Sequence, residues 1–277
     1  MEILVYSTIN NFINLFNLKT NKLINKLINN SIIWCYDFSY DGRIIVYGDN
    51  NGYHSIYNII ENKLISKNIF YDNSLISIAC TNIVDKIILG YIDGVLIVFN
   101  NLSKTFKKIK AHNETIQTIN ICETKNILIT TSFNCEIKIW DLTTVKLLKH
   151  IKQNMESWII KLEISIENNC FIYFDTVNDV KMYSLSNYQK IKTFLIPNLD
   201  LTDFIIKNNK FIYSTSNYNI VELDLKTSQF IKEEKQKNKY IESFFYSDNN
   251  KLAYCNNLNE IIYNHNIIIQ DKVTSIF

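Results

Sequence analysis

Four histidines, six cysteines and two lysine-rich runs hold most of the chemical capability of this 277-residue chain. His54, His112, His150 and His265 fall in no HxxxH or HExxH pattern, so the spacing that places two imidazoles on one metal is absent. Cys35, Cys80, Cys122, Cys135, Cys170 and Cys255 are scattered without a CxxC pair, the pattern of reduced thiols packed as small apolar groups. No GxGxxG, GxxxxGKS/T or GxSxG occurs, so no phosphate cradle or nucleophile elbow is expected. Asp41-Gly42 and Asp93-Gly94 read as turn dipeptides. The expectation is a chain that is not an enzyme, with no metal and no cofactor.

The lysines raise the question of nucleic acid. Lys104, Lys107, Lys108 and Lys110 lie in KTFKKIK, expected on an exposed fourth strand, where lysine discourages edge-to-edge association. Residues 232–240 mix Glu233 and Glu234 with their lysines and read as a solvated loop. Neither run has the interleaved aromatics of a base-stacking platform. Lys plus Arg at 29 against Asp plus Glu at 27 gives a net charge of +2, too small to draw the whole molecule to nucleic acid or membrane. An RNA-binding use of the Lys104–Lys110 edge is retained as the alternative functional class.

A composition of 47% hydrophobic and 20% charged residues excludes a disordered chain, and five Gly with one Pro exclude a collagen-like one. The start, MEILVYSTINNF, lacks the basic and apolar regions of a secretory signal, and no apolar run approaches a membrane span. A cytoplasmic or nuclear location is expected.

What must position these residues is a repeat. Ala111 to Ile151 reads as four short strands, TIQTINI, NILITT, EIKIWD and KLLKHI, with β-branched residues alternating with polar ones. The place of Trp140 is matched by Phe16, Tyr57, Phe99, Tyr183, Leu223 and Tyr263, at intervals of 41, 42, 41, 43, 40 and 40 residues. Six of these seven are aromatic, where a 13% aromatic content would supply about one. Six residues before each anchor stand Asn10, Asn51, Asp93, Asn134, Val177, Asn217 and Asn257. Asn and Asp tolerate positive φ, which predicts a tight hairpin at this column.

His112 before the first strand and Trp140-Asp141 at the end of the third resemble the signature of the WD-repeat family. The resemblance runs over essentially the whole chain, although only one repeat keeps the Trp-Asp pair. It implies an all-β, seven-bladed propeller forming one domain over residues 1–277. It also implies a buried network of His112, Asn134, Thr130 or Ser132, and Trp140, with Asn134 where the family has Asp. The other repeats are expected to rely on apolar packing. The C-terminal KVTSIF matches a first-strand pattern and is expected to complete repeat one, burying Val273, Ile276 and Phe277. Within the family, residues 32–164 resemble blades of the WD-repeat subunit of the superkiller RNA-decay complex and of the I subunit of translation initiation factor three.

The expected function is a non-catalytic scaffold for protein–protein contacts, a monomeric propeller in an RNA-processing, translation or chromatin complex. The residue before each first strand should rim one end of the ring. The repeats place Lys272, Ile32, Ser74, Thr115, Trp158, Asp200 and Tyr240 there. Trp158 and Tyr240 are the expected partner-binding anchors, because such rings bury large area with few rotors. Asp200 and Lys272 are expected to orient the partner.

Overall fold

A computed structural model describes residues 3–8, 12–17, 20, 22–152, 157–177, 179–194, 196, 201–235, 241–246, 252–256, 260–263, 266–270 and 273–276. Apart from a 3-10 turn at Glu123–Lys125, their regular structure is β. The strands pair antiparallel in fours. In repeat two they are Ile33–Phe38, Ile44–Asp49, Tyr53–Asn58 and Lys63–Ile69, hydrogen-bonded in chain order. The same order restarts at Leu75–Cys80, Ile116–Cys122, Ile159–Ser165, Leu201–Lys207 and Ile241–Tyr246. Ile3–Thr8, Phe12–Asn17 and Lys22–Ile28 make a sheet with Val273–Ile276, in which Tyr6, Ser7 and Thr8 pair with Ile276, Ser275 and Val273. The side chains of that C-terminal strand, and Phe277, lie outside the described residues. No helix among the described residues is long and apolar enough to cross a membrane.

Each core cluster spans two consecutive repeats. Ile13 and Leu15 pack with Tyr36, Ile45 and Tyr57. Val46 and Ile56 pack with Leu75, Leu89 and Phe99. Ile88 and Leu96 meet Ile116, Leu128 and Trp140, and Ile127 and Ile129 meet Phe171 and Tyr173. Phe174 and Met182 meet Phe204 and Phe211. A middle strand is therefore covered on both faces, which is why CFIYFD is apolar at nearly every position and buried throughout. Burial of such side chains contributes roughly 1.5–3 kcal/mol each.

The aromatic anchors Phe16, Tyr57, Phe99, Trp140 and Tyr183 all sit next to the end of a third strand and are buried. In four of these repeats the ladder to the fourth strand slips by one residue at the anchor, between Leu15/Phe16, Ile56/Tyr57, Ile139/Trp140 and Met182/Tyr183. A bulge there bends and twists the outer strand. The hairpin column needs a correction. Positive φ falls one residue later than the Asn/Asp column, at Gly52 (+83°), Gly94 (+81°), Cys135 (+57°) and Tyr218 (+70°). Asn51 and Asp93 act through side-chain bonds instead. Asn51 donates to Ser31 Oγ (2.8 Å), and Asp93 accepts from the Val95 amide (3.3 Å).

Apolar packing is also not the whole of the contact between repeats. Asp37 accepts the Cys80 amide (2.8 Å), Ser77 donates to the Ile116 carbonyl (2.9 Å), and Asn120 donates to the Leu162 carbonyl (3.1 Å). Glu163 accepts the Ile206 amide (2.9 Å), and Lys161 reaches Asp203 (2.8 Å). Each bond joins first strands of consecutive repeats. A first strand is the edge of its sheet, so half its backbone polar groups have no ladder partner and must find side chains. Burial works against charge on Lys161, but Asp203 and Glu163 outweigh it and hold its pKa above the usual lysine range.

Candidate protein-interaction face

The loops before the first strands and the hairpins between second and third strands meet at one end of the molecule. Backbone bonds fix this in four repeats: Asn50 to Ile32 (3.0 Å), Ile92 to Ser74 (3.0 Å), Phe133 to Thr115 (3.2 Å) and Thr176 to Trp158 (3.0 Å). Successive repeats are then tied together there. Ser74 Oγ donates to the Asn50 carbonyl (2.9 Å) and Thr115 Oγ1 to the Ile92 carbonyl (2.6 Å). Glycine is required in this contact, since a Cβ on Gly94 would lie 2.2 Å from the His112 carbonyl oxygen.

Ile32, Ser74, Thr115 and Trp158 each directly precede a first strand, as the repeat alignment placed them. Asp200, Tyr240 and Lys272 lie outside the described residues. Trp158 is 47% exposed and meets Phe133 edge-on, with centroids 6.2 Å apart. A wedge between sheets would be buried; Trp158 is not.

Sequence reasoning missed much of the apolar surface at this end. The repeat alignment gives the rim positions of repeats two to four only Ile32, Ser74 and Thr115. Trp34 in repeat two is 56% exposed, and Ile92 and Phe133 stand exposed at hairpin tips, with Val177 in repeat five. The ladder slips between Ile33/Cys35 and again between Ile159/Lys161, leaving Trp34 and Ile160 out of register and exposed. The hairpin signal was legible: Ile92 and Phe133 are large apolar residues directly before the Asp93 and Asn134 turn positions.

The network around Trp140 exists with one substitution of partner. Thr130, not Ser132, bridges the pair: its hydroxyl lies 2.7 Å from His112 Nε2 and accepts the Trp140 indole N–H at 2.9 Å. The carboxylate facing His112 Nδ1 is Glu136 at 3.5 Å, while Asn134 Oδ1 is buried with no partner. Burial, with the nearby Lys138 ammonium, pushes His112 down to about 4, so its ring is neutral. Burial pushes Glu136 the other way, but Lys138, His150 and His112 outweigh it and keep the carboxyl below its ordinary range. Asp141 closes the following turn, accepting the Thr144 amide and hydroxyl at 2.6 and 2.8 Å.

The link from loop to hairpin is not confined to repeat four. Asn29 donates to Asp49 (3.2 Å) and the Tyr71 hydroxyl to Asp93 (2.5 Å). Asn29, Tyr71 and His112 each stand three residues before the rim position, so one geometric task is met by three side-chain types.

The lysine run does not form one basic surface. Lys107 donates to the Thr144 carbonyl of repeat four (2.8 Å), whereas Lys108 lies 3.5 Å over the Tyr71 ring on the side of repeat two. Lys104 bonds Asn101 (2.7 Å) and Lys110 bonds the Asp93 carbonyl. Alternation along Thr105–Lys110 sends neighbouring ammonium groups to opposite faces of the sheet.

No described protein family matches this chain, and no curated protein matches it. Among solved structures it is similar to the computationally designed Ika8 protein, crystallised in P63 packing, with a TM-score of 0.79 at 15% identity. That likeness covers 100% of this chain and 84% of the designed one. At such identity it shows the fold alone: repeated four-stranded antiparallel sheets arranged in a β-propeller-like way.

Proposed function

We propose that this chain is a non-catalytic WD-type propeller that holds proteins together, docking a partner on the end where Trp158 is exposed. Under this reading the ring has seven blades and forms one domain. It is closed by Val273–Ile276 serving as the first strand of blade one. The pairing of that strand with Ile3–Thr8 supports closure. So does the contact of Val273–Ile276 with Ile241–Tyr246 and Leu252–Asn256 of the last repeat.

The observation that carries the function is the run of exposed large apolar side chains at one end, from Trp34 through Phe133 to Trp158. Exposed apolar surface of this kind marks interaction sites in soluble proteins, and tryptophan is prominent among binding hot spots. The division of Lys104–Lys110 between two faces favours this reading over RNA binding at the outer edge. Membership of an RNA-processing, translation or chromatin complex, in cytoplasm or nucleus, rests on the family resemblance alone.

The test is affinity purification of the full chain followed by nuclease treatment. Co-purifying proteins should survive the nuclease. Trp158→Ala and Tyr240→Ala should each weaken capture of these proteins by about 2 kcal/mol or more while the melting temperature holds. Partners that vanish with nuclease, with binding that falls steeply with salt, would establish the RNA reading instead.

A further inference from the structure

The apolar strip carries a charge pattern that narrows its partner. Trp34, Ile92, Phe133 and Trp158 are exposed along contiguous repeats two to five. Asp72 and Glu114 are exposed in the loops before the first strands of repeats three and four, at the same end as Ile92. Neither carboxylate has a hydrogen-bond or ion-pair partner among the described residues. Of the other charged groups at this end, Lys108 lies 3.5 Å over the Tyr71 ring, Lys138 bonds the Ala111 carbonyl (2.6 Å) and Lys67 bonds Asn29 (3.2 Å). Asp93 accepts the Tyr71 hydroxyl, Lys110 bonds the Asp93 carbonyl, and Lys152 lies 3.9 Å from Glu136.

We infer that this face takes an extended protein segment presenting bulky apolar side chains beside lysine or arginine. The inference rests on the docking role proposed above and adds the chemistry of the partner. Apolar anchors supply the buried area, and the two unpaired carboxylates select cationic neighbours over acidic ones. An RNA strand is disfavoured, because its phosphates would face those same carboxylates.

Panning a phage-displayed random twelve-residue peptide library on the intact protein tests this. Selected peptides should pair Leu, Phe or Trp with Lys or Arg. Their affinity should fall at least about tenfold in Trp158→Ala and in Asp72→Asn/Glu114→Gln, with circular-dichroism melting curves unchanged. In Asp72→Lys/Glu114→Lys the selection should swing to acidic peptides that keep the apolar residues. Apolar peptides with no charge preference, or none that respond to the reversal, would overturn the basic-partner inference while leaving the docking face intact. Selected peptides indifferent to both Trp34→Ala and Trp158→Ala, or no selection at all, would overturn the docking face itself.

Discussion

A single hydroxyl, that of Thr130, satisfies two buried ring nitrogens from separate strands and loops. Thr130→Val keeps the shape and removes the bridge, so His112 Nε2 and the Trp140 indole are left without a partner. An unsatisfied buried polar group costs about 1–3 kcal/mol, and the variant should lose about 2–4 kcal/mol in urea unfolding, with Thr130→Ser nearer the parent. His54 is the opposite case. It is fully buried between Phe70 and Phe99, with neither ring nitrogen bonded. Burial pushes it down from 6.5 to about 4. As pH falls through 6.5 the unfolded chain takes up a proton that the folded one refuses, so stability is lost from pH 6.5 down to about 4. That loss is about 3 kcal/mol for this residue. Asp37, raised by burial to about 6, works the other way below pH 6. His54→Phe should therefore hold stability at pH 7 and show a shallower acid loss than the parent. An unaltered slope would mean that His54 is not neutral and dry in the folded protein.

At the scale of the element, the hairpin and the loop of the following repeat act as one unit. Gly94 has φ +81°, and a Cβ there would lie 2.2 Å from one backbone carbonyl oxygen and 2.6 Å from another. Gly42 also has positive φ but open space around it. Gly42→Ala should cost about 1 kcal/mol, the left-handed penalty alone. Gly94→Ala adds a clash with rigid backbone and should cost well above that, with the loop at His112–Thr115 displaced. Amide hydrogen exchange in that loop would report the displacement, and equal costs for the two variants would refute a packed hairpin–loop unit.

At the scale of the whole molecule, the proposed ring depends on residues distant in sequence. Removing residues 272–277 would strip the strand that pairs with Ile3–Thr8 and expose an unpaired edge. Each apolar side chain that the proposed closure would bury contributes roughly 1.5–3 kcal/mol, against a total stability of about 5–15 kcal/mol. The truncated chain should aggregate or melt without cooperativity. A parent-like melting temperature would remove the closure from the proposal.

The repeat was legible from the chain alone, because its signals are local. Alternation within a strand, an aromatic next to the end of the third strand and turn residues six positions earlier all act over a few residues. They placed the anchors from Phe16 to Leu223 on third strands and each rim residue from Ile32 to Trp158 directly before a first strand. Tertiary structure decided how the repeats hold each other and what they show to solvent. Asp37 and Cys80 are 43 residues apart in sequence yet share a hydrogen bond, and no local pattern marks such a pair. His112 faces Glu136, at the start of the third strand, rather than Asn134 in the hairpin before it, a choice among polar side chains made only by the folded hairpin. Trp34 and Trp158 stand exposed while Trp140 is buried, since exposure depends on bulges and neighbouring repeats that only the packed sheets supply.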